Sequence, residues 1–222
     1  MIEFNLYTVA HTGTTFAFTM FYFFGFKMGA LVGKTPEYPD DDLVGIDNVT
    51  FYHFHSNETI HTGYIDKYLD GKNGKIKTVI TLQDPNRWLC SIADRPVYPI
   101  THYNNWMIMM DQTTNTDNVY IDILCPPEKR VTHITSVLKQ LGIYKSEYDP
   151  LIINWCSNHW KKYNSVGGHN HQNYEETGTL PRGLLSPYND QNPGNQEQMM
   201  NILRDWYKEK RDPLINANYE VI

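Results

Sequence analysis

The chain is poor in cysteine, short of positive charge, and without an apolar run long enough to cross a bilayer. Its three cysteines, Cys90, Cys125 and Cys156, form no CxxC pair. An odd, scattered set fits a reducing compartment better than a disulfide framework, so a cytoplasmic location is expected. Lys and Arg number 19 against 25 Asp and Glu, a net charge of −6, which argues against broad binding of nucleic acid or an anionic membrane. A local basic pocket stays open. The most apolar stretch is "TTFAFTMFYFFGFKMGALV" (14–32). Its part before Lys27 is about 12 residues, short of the ~20 a spanning helix needs. No basic segment opens the chain, so no secretory signal is expected. Repeats and low-complexity tracts are absent too.

What remains is a globular composition. Apolar residues are 41% and charged residues 20% of 222, enough for one domain over 1–222 with a sizeable core. Tyrosine is plentiful, at 16. Tyrosines line clefts for polar ligands, but more often they simply pack.

Strands are expected at 2–10, 49–55, 76–82 and 118–124, from alternation or β-branched content. Helices are expected at 14–26, 61–71, 84–94, 126–142, 149–163 and 196–211. The first is apolar nearly all round and reads as a buried helix. In 84–94, Asp84 is the N-cap and Pro85 the first helical residue. In 126–142, Val131, Ile134, Val137, Leu138 and Leu141 share a face. Residues 34–48 and 165–195 read as irregular, and no element is assigned between 95 and 117. Strands alternating with helices imply an α/β fold, three layers with a mostly parallel central sheet. Ligands of such sheets bind at the carboxyl ends of the strands.

Two stretches fall on that rim. "AHTGTT" (10–15) is a Gly-centred, hydroxyl-rich loop leading into a helix, where N–H groups and the helix dipole favour an anion. The simpler alternative is that Thr14 or Thr15 caps the helix. "TLQDPNRWLCS" (81–91) takes a buried strand through a polar turn into a helix. Gln83 ends the strand, and Ser91 follows two helical turns later. The simpler alternative is an ordinary capped helix with an inward Ser.

Together these stretches resemble the sulfotransferases that use 3′-phosphoadenosine 5′-phosphosulfate (PAPS). In that family a Lys-Ser/Thr-Gly-Thr-Thr loop grips the phosphosulfate, and an aromatic residue after it stacks on the adenine. The matching residues here are His11, Thr12, Gly13, Thr14, Thr15 and Phe16. The family's Arg-x-Pro turn, with a Ser eight residues after the Arg, holds the 3′-phosphate. Here it reads Gln83-Asp84-Pro85 and Ser91. "VYIDILCPPEKRVTHITSVLKQLGI" (119–143) and "HTGYIDKYLD" (61–70) are similar to further family blocks, so the likeness covers about 4–143. Two charges differ: His11 stands for the loop Lys, and Gln83 for the Arg. Arg87, one turn into the helix, is the candidate to compensate, or else a solvated surface residue. Lys161, Lys162 and Arg182 are further cations near the late irregular region.

The resemblance implies a sulfuryl transfer from PAPS, leaving 3′,5′-adenosine bisphosphate and requiring no metal. The acceptor is a hydroxyl or amine on a small molecule or glycan. The base comes from the end of the second strand. There "HFH" offers His53 and His55 on one sheet face, with Glu58 as a lesser candidate. The family pattern Lys-x-His favours His55. His53/His55 and His169/His171 could instead hold a metal, but no Cys pair or HExxH accompanies them. Two rivals stand beside this reading. One is a P-loop kinase, which lacks its Gly-Lys-Ser/Thr here. The other is a degenerate module that binds nucleotide or glycan without turnover. Tyr64, Tyr68, Tyr103 and Trp106 either line an acceptor cleft or pack in the core.

Overall fold

The computed structural model describes residues 2–9, 11–28, 46–55, 75–93, 99–114, 117–164, 169–180 and 193–216. At 46–48, 50, 52–55, 99–103 and 193–196 it describes the backbone alone. The expected helix 61–71, most of the loop 34–48, and residues Glu58, Tyr64, Tyr68 and Arg182 lie outside the described residues.

Among the described residues five parallel strands form one sheet. They are β1 (Ile2–Thr8), β2 (Phe26–Met28), β3 (Ile46–His55), β4 (Thr78–Leu82) and β5 (Asn118–Asp122), in the order β2-β3-β1-β4-β5. Central β1 pairs Leu6 with His53 and Thr8 with His55 on β3, and Leu6 with Val79 on β4. Strands buried on both faces read as near-continuous apolar runs. β4, TVITL, does so, with all five residues buried.

The helices are α1 (Thr14–Phe23), α2 (Pro85–Ala93), α3 (Pro99–Thr113), α4 (Arg130–Gln140), α5 (Asp149–Asn154), α6 (Trp160–Asn164), α7 (His169–Thr177) and α8 (Pro193–Asn216). Each face of the sheet carries its own core. On one, Phe4, Leu6, Val79 and Ile121 meet α1, α4 and the aromatic residues Trp155 and Trp160. On the other, Tyr7, Val9 and Ile80 meet Trp88 of α2, Trp106 of α3 and Leu203 of α8. This is the expected α/β arrangement of three layers. Among the described residues no helix is long and apolar enough to cross a membrane. Trp106 is wholly buried, edge-on to Trp88 at 4.9 Å, so it belongs to the core rather than to a cleft.

Several details depart from expectation. α1 stops at Phe23, not 26. Gly25 takes a left-handed φ of 83° and its N–H bonds to the Tyr22 carbonyl, a glycine stop, after which Phe26–Met28 form a short edge strand. Val131 is 39% exposed, and His133 turns inward instead. The Nε2 of His133 accepts the Asp122 N–H at 3.0 Å, satisfying a donor where β5 ends. The helix expected over 149–163 is present, but Trp155–His159 form a π turn between α5 and α6. Such turns insert one residue into the helical repeat. The segment read as irregular, 165–195, contains α7.

Candidate functional site

The β1–α1 loop is built tightly. Thr12 is fully buried. Its Oγ1 donates to the Val9 carbonyl at 2.8 Å, accepts the Val9 N–H at 3.1 Å, and lies 3.3 Å from Thr81 Oγ1 on β4. His11 is left-handed at φ 66°, uncommon for a residue with a side chain. Gly13, at φ 101°, leaves no room for more: a Cβ there would sit 2.9 Å from Ile123 Cδ1. Gly13 is the N-cap of α1, and no side-chain hydrogen bond caps the helix. The hydroxyl of Thr14 is turned back to Thr8 Oγ1, at 2.8 Å, and Thr15 is exposed. Neither threonine therefore caps α1.

Phe16 is placed differently from its expected role. It is fully buried, with Trp155 and Trp160 edge-on at 5.6 and 4.7 Å. Its ring faces are taken by the core and not by a ligand. The next residue in a buried helix is drawn inward by the same apolar surface that makes α1 a core helix.

The second half of the site is a stripe on α2. Arg87 and Ser91, four residues apart, share one face of the helix; Gln83 lies two residues before its start, and all three are buried. Asp84 caps the helix as expected, its Oδ1 accepting the Asn86 N–H at 2.7 Å. Arg87 is not a solvated surface residue. Only 4% exposed, its guanidinium donates to Gln83 Oε1 (3.2 Å), Asn164 Oδ1 (3.1 Å), the Asn164 carbonyl (2.6 Å) and Glu175 Oε1 (3.0 Å). Ser91 Oγ lies 3.4 Å from His11 Nδ1. The two sequence stretches thus meet, through His11 and Ser91.

The third part is the end of β3. His55 pairs with Thr8, so its backbone stands beside the strand that feeds the loop, and His53 stands two pairs earlier beside Leu6. Their side chains lie outside the described residues.

Asn164 links α2 to the segment after β5 and carried no signal in the sequence. Besides receiving Arg87, its Nδ2 donates to the Ile123 carbonyl at 2.6 Å, which Trp160 Nε1 also reaches at 3.1 Å. Ile123 is the residue that presses on Gly13. Asp122, at the end of β5, accepts Arg211 Nε at 3.0 Å and the Leu124 N–H at 2.9 Å. Burial raises the Asp122 carboxyl above its ordinary range, against the pull of Arg211. Lys161 and Lys162 are exposed on α6. His169 is exposed while His171 is buried beside Glu175, with Nε2 3.5 Å from Oε1. Among the described residues no group of three or more His, Cys, Asp or Glu could hold a metal ion.

No family model matches the chain, and no curated protein matches it. Among solved structures the chain is similar to mouse sulfotransferase SULT7A1 complexed with PAP. The TM-score is 0.48 at 10% identity, over 96% of this chain and 87% of that one.

Proposed function

We propose that this chain is a sulfotransferase that passes a sulfuryl group from PAPS to a hydroxyl or amine of a small-molecule or glycan acceptor. The observation that supports this best is the 3.4 Å contact of His11 Nδ1 with Ser91 Oγ. It joins the loop and the helix stripe that resemble the two nucleotide-binding elements of that family. The residues also suit an anionic nucleotide: an uncapped helix N-terminus, a glycine that admits no Cβ, and a buried arginine one turn before Ser91. Bound there, PAPS would supply the sulfuryl group. The N–H groups of Thr14, Thr15 and Phe16, the two hydroxyls and a protonated His11 would hold its phosphate side and the charge that develops there. Ser91 and Arg87 would take the 3′-phosphate, with Gln83 orienting Arg87. His55 would accept the proton of the acceptor, and His53 is its understudy. Three free, buried cysteines accord with a reducing, cytoplasmic setting.

A sulfate-transfer assay with PAPS and a broad acceptor panel tests the reading. His55→Ala should lower turnover about 10²–10⁴-fold while leaving binding of adenosine bisphosphate intact. Full turnover in that variant would move the base elsewhere. An ordinary imidazole titrates near pH 6.5 and an ammonium near 10.4, so His11→Lys should shift the alkaline limb of the rate profile upward. An unmoved limb removes His11 from charge stabilisation.

One observation favours the degenerate binding module instead: Gln83 is neutral and its carbonyl oxygen is already committed to Arg87. Tight binding of adenosine bisphosphate with no transfer to any acceptor would select that reading. Preference for ATP with magnesium would select the kinase.

A further inference from the structure

Arg87 is the buried cation of the site, and what holds its outer edge is unusual. Three of its contacts are internal and neutral: Gln83 Oε1, Asn164 Oδ1 and the Asn164 carbonyl. The fourth is an acid from α7. Glu175 reaches in from a side chain 51% exposed and places Oε1 3.0 Å from Arg87 Nε, while His171 Nε2 lies 3.5 Å from the same oxygen. One carboxylate oxygen therefore sits between a buried guanidinium and a buried imidazole, at the solvent edge of the stripe that runs to Ser91 and His11. α7 is also tied to the start of α2. Tyr174 donates to Asp84 Oδ2 at 3.2 Å, and of the helix only His171 is buried.

We propose that Arg87 Nε and His171 form an anion site for a phosphate group, and that the Glu175 carboxylate is a built-in plug that a phosphate must displace. The proposal names a role for α7 within the nucleotide reading above and rests on it for the identity of the natural ligand. The plug itself does not depend on it. A carboxylate on a half-exposed arm returns to water at little cost when displaced, whereas Arg87 cannot leave its buried seat. Phosphate brings more acceptor oxygens than the single one Glu175 places there, enough to accept from Arg87 Nε and His171 together in charge-assisted bonds. The oxygens of Asp84, at the start of α2, are occupied by the N–H of Asn86 and by Tyr174.

The test uses the full chain and inorganic phosphate at constant ionic strength, read by thermal shift and titration calorimetry. Glu175→Ala should bind phosphate on the order of tenfold more tightly than the wild type, and Glu175→Gln should gain less. Glu176→Ala removes the neighbouring exposed acid of the same helix and should behave as wild type. Arg87→Lys in the Glu175→Ala background should lose the gain. Equal responses of Glu175→Ala and Glu176→Ala would overturn the plug, whatever Arg87→Lys does to folding. A parallel titration with 3′,5′-adenosine bisphosphate and 5′-AMP separates the two readings. A phosphate gain in Glu175→Ala with no preference between the nucleotides keeps the anion site and sinks the sulfotransferase. A preference for the bisphosphate that Glu175→Ala fails to raise above Glu176→Ala sinks the plug and keeps the sulfotransferase.

Discussion

His133 holds the end of β5 through one ring nitrogen, and this gives the fold an acid-sensitive point. Its Nε2 accepts the Asp122 N–H, so the ring proton sits on Nδ1. Burial lowers its pKa from 6.5 to about 4. The unfolded chain therefore takes up this proton first as pH falls. The stability His133 contributes is complete above pH 6.5 and is lost between 6.5 and 4, worth about 3 kcal/mol at most. Asp122 works in the opposite sense, because its raised pKa lets the folded state bind a proton readily. Urea unfolding of His133→Gln should show a flatter slope over that window than the wild type. His133→Leu should cost about 1–3 kcal/mol even at neutral pH, since the Asp122 N–H then has no acceptor. Gly13 is the second sensitive residue. Gly13→Ala meets Ile123 at 2.9 Å in a backbone conformation that disfavours side chains, and should cost about 2–4 kcal/mol by the same measurement.

At the scale of elements, α2 depends on Asp84 and on Arg87. Asp84→Ala should lose about 1 kcal/mol of stability, while Asp84→Asn, also a good cap, should be close to neutral. Arg87→Lys should cost about 2–4 kcal/mol, because an ammonium cannot reach Gln83, Asn164 and Glu175 together. The elements that could be read from the sequence are those whose burial leaves a pattern. β4 is an unbroken apolar run, α4 has its stripe, and α2 announces itself with Asp84-Pro85. α7 leaves no such pattern. "HNHQNYEET" buries only His171 and is held by polar partners on α2 that are about ninety residues away in sequence. α3 escapes too, since its apolar residues bunch in one run, 106–110, between polar flanks and so give 99–113 no clean helical period. The loop and the α2 stripe were legible as motifs, but the link from α2 through Asn164 to the segment after β5 was not, because a lone Asn at a helix end looks like any cap. Phe16 was misplaced for a related reason. A motif assigns it to a ligand, while the apolar density of α1 assigns it to the core, and packing prevails.

For the molecule as a whole, the sheet ties two cores together. β1 sends Leu6 to one side and Tyr7 to the other, and β4 does the same with Val79 and Ile80. Neither core can melt without uncovering strands that the other needs. Ile134→Val on α4 and Ile92→Val on α2 should each cost about 0.5–1.5 kcal/mol, and unfolding should stay a single transition. Because the sites lie on opposite faces, the double variant should sum to within about 0.5 kcal/mol. Two separable transitions would divide the chain where one domain is expected.

The π turn at Trp155–His159 sets the phase of everything after it. Trp155, at its start, is locked in the core, stacked on Tyr163 at 5.3 Å. Trp160 and Asn164, beyond it, share the Ile123 carbonyl. Wound as an ordinary α-helix with all five residues kept, the turn would carry the later residues about 100° further round, one residue's worth. Asn164 would then leave both Ile123 and Arg87. The chain's ability to hold its two half-sites in one frame thus hangs on a count: a single supernumerary residue in one helix, which behaves as an inherited insertion that the rest of the molecule has been built around.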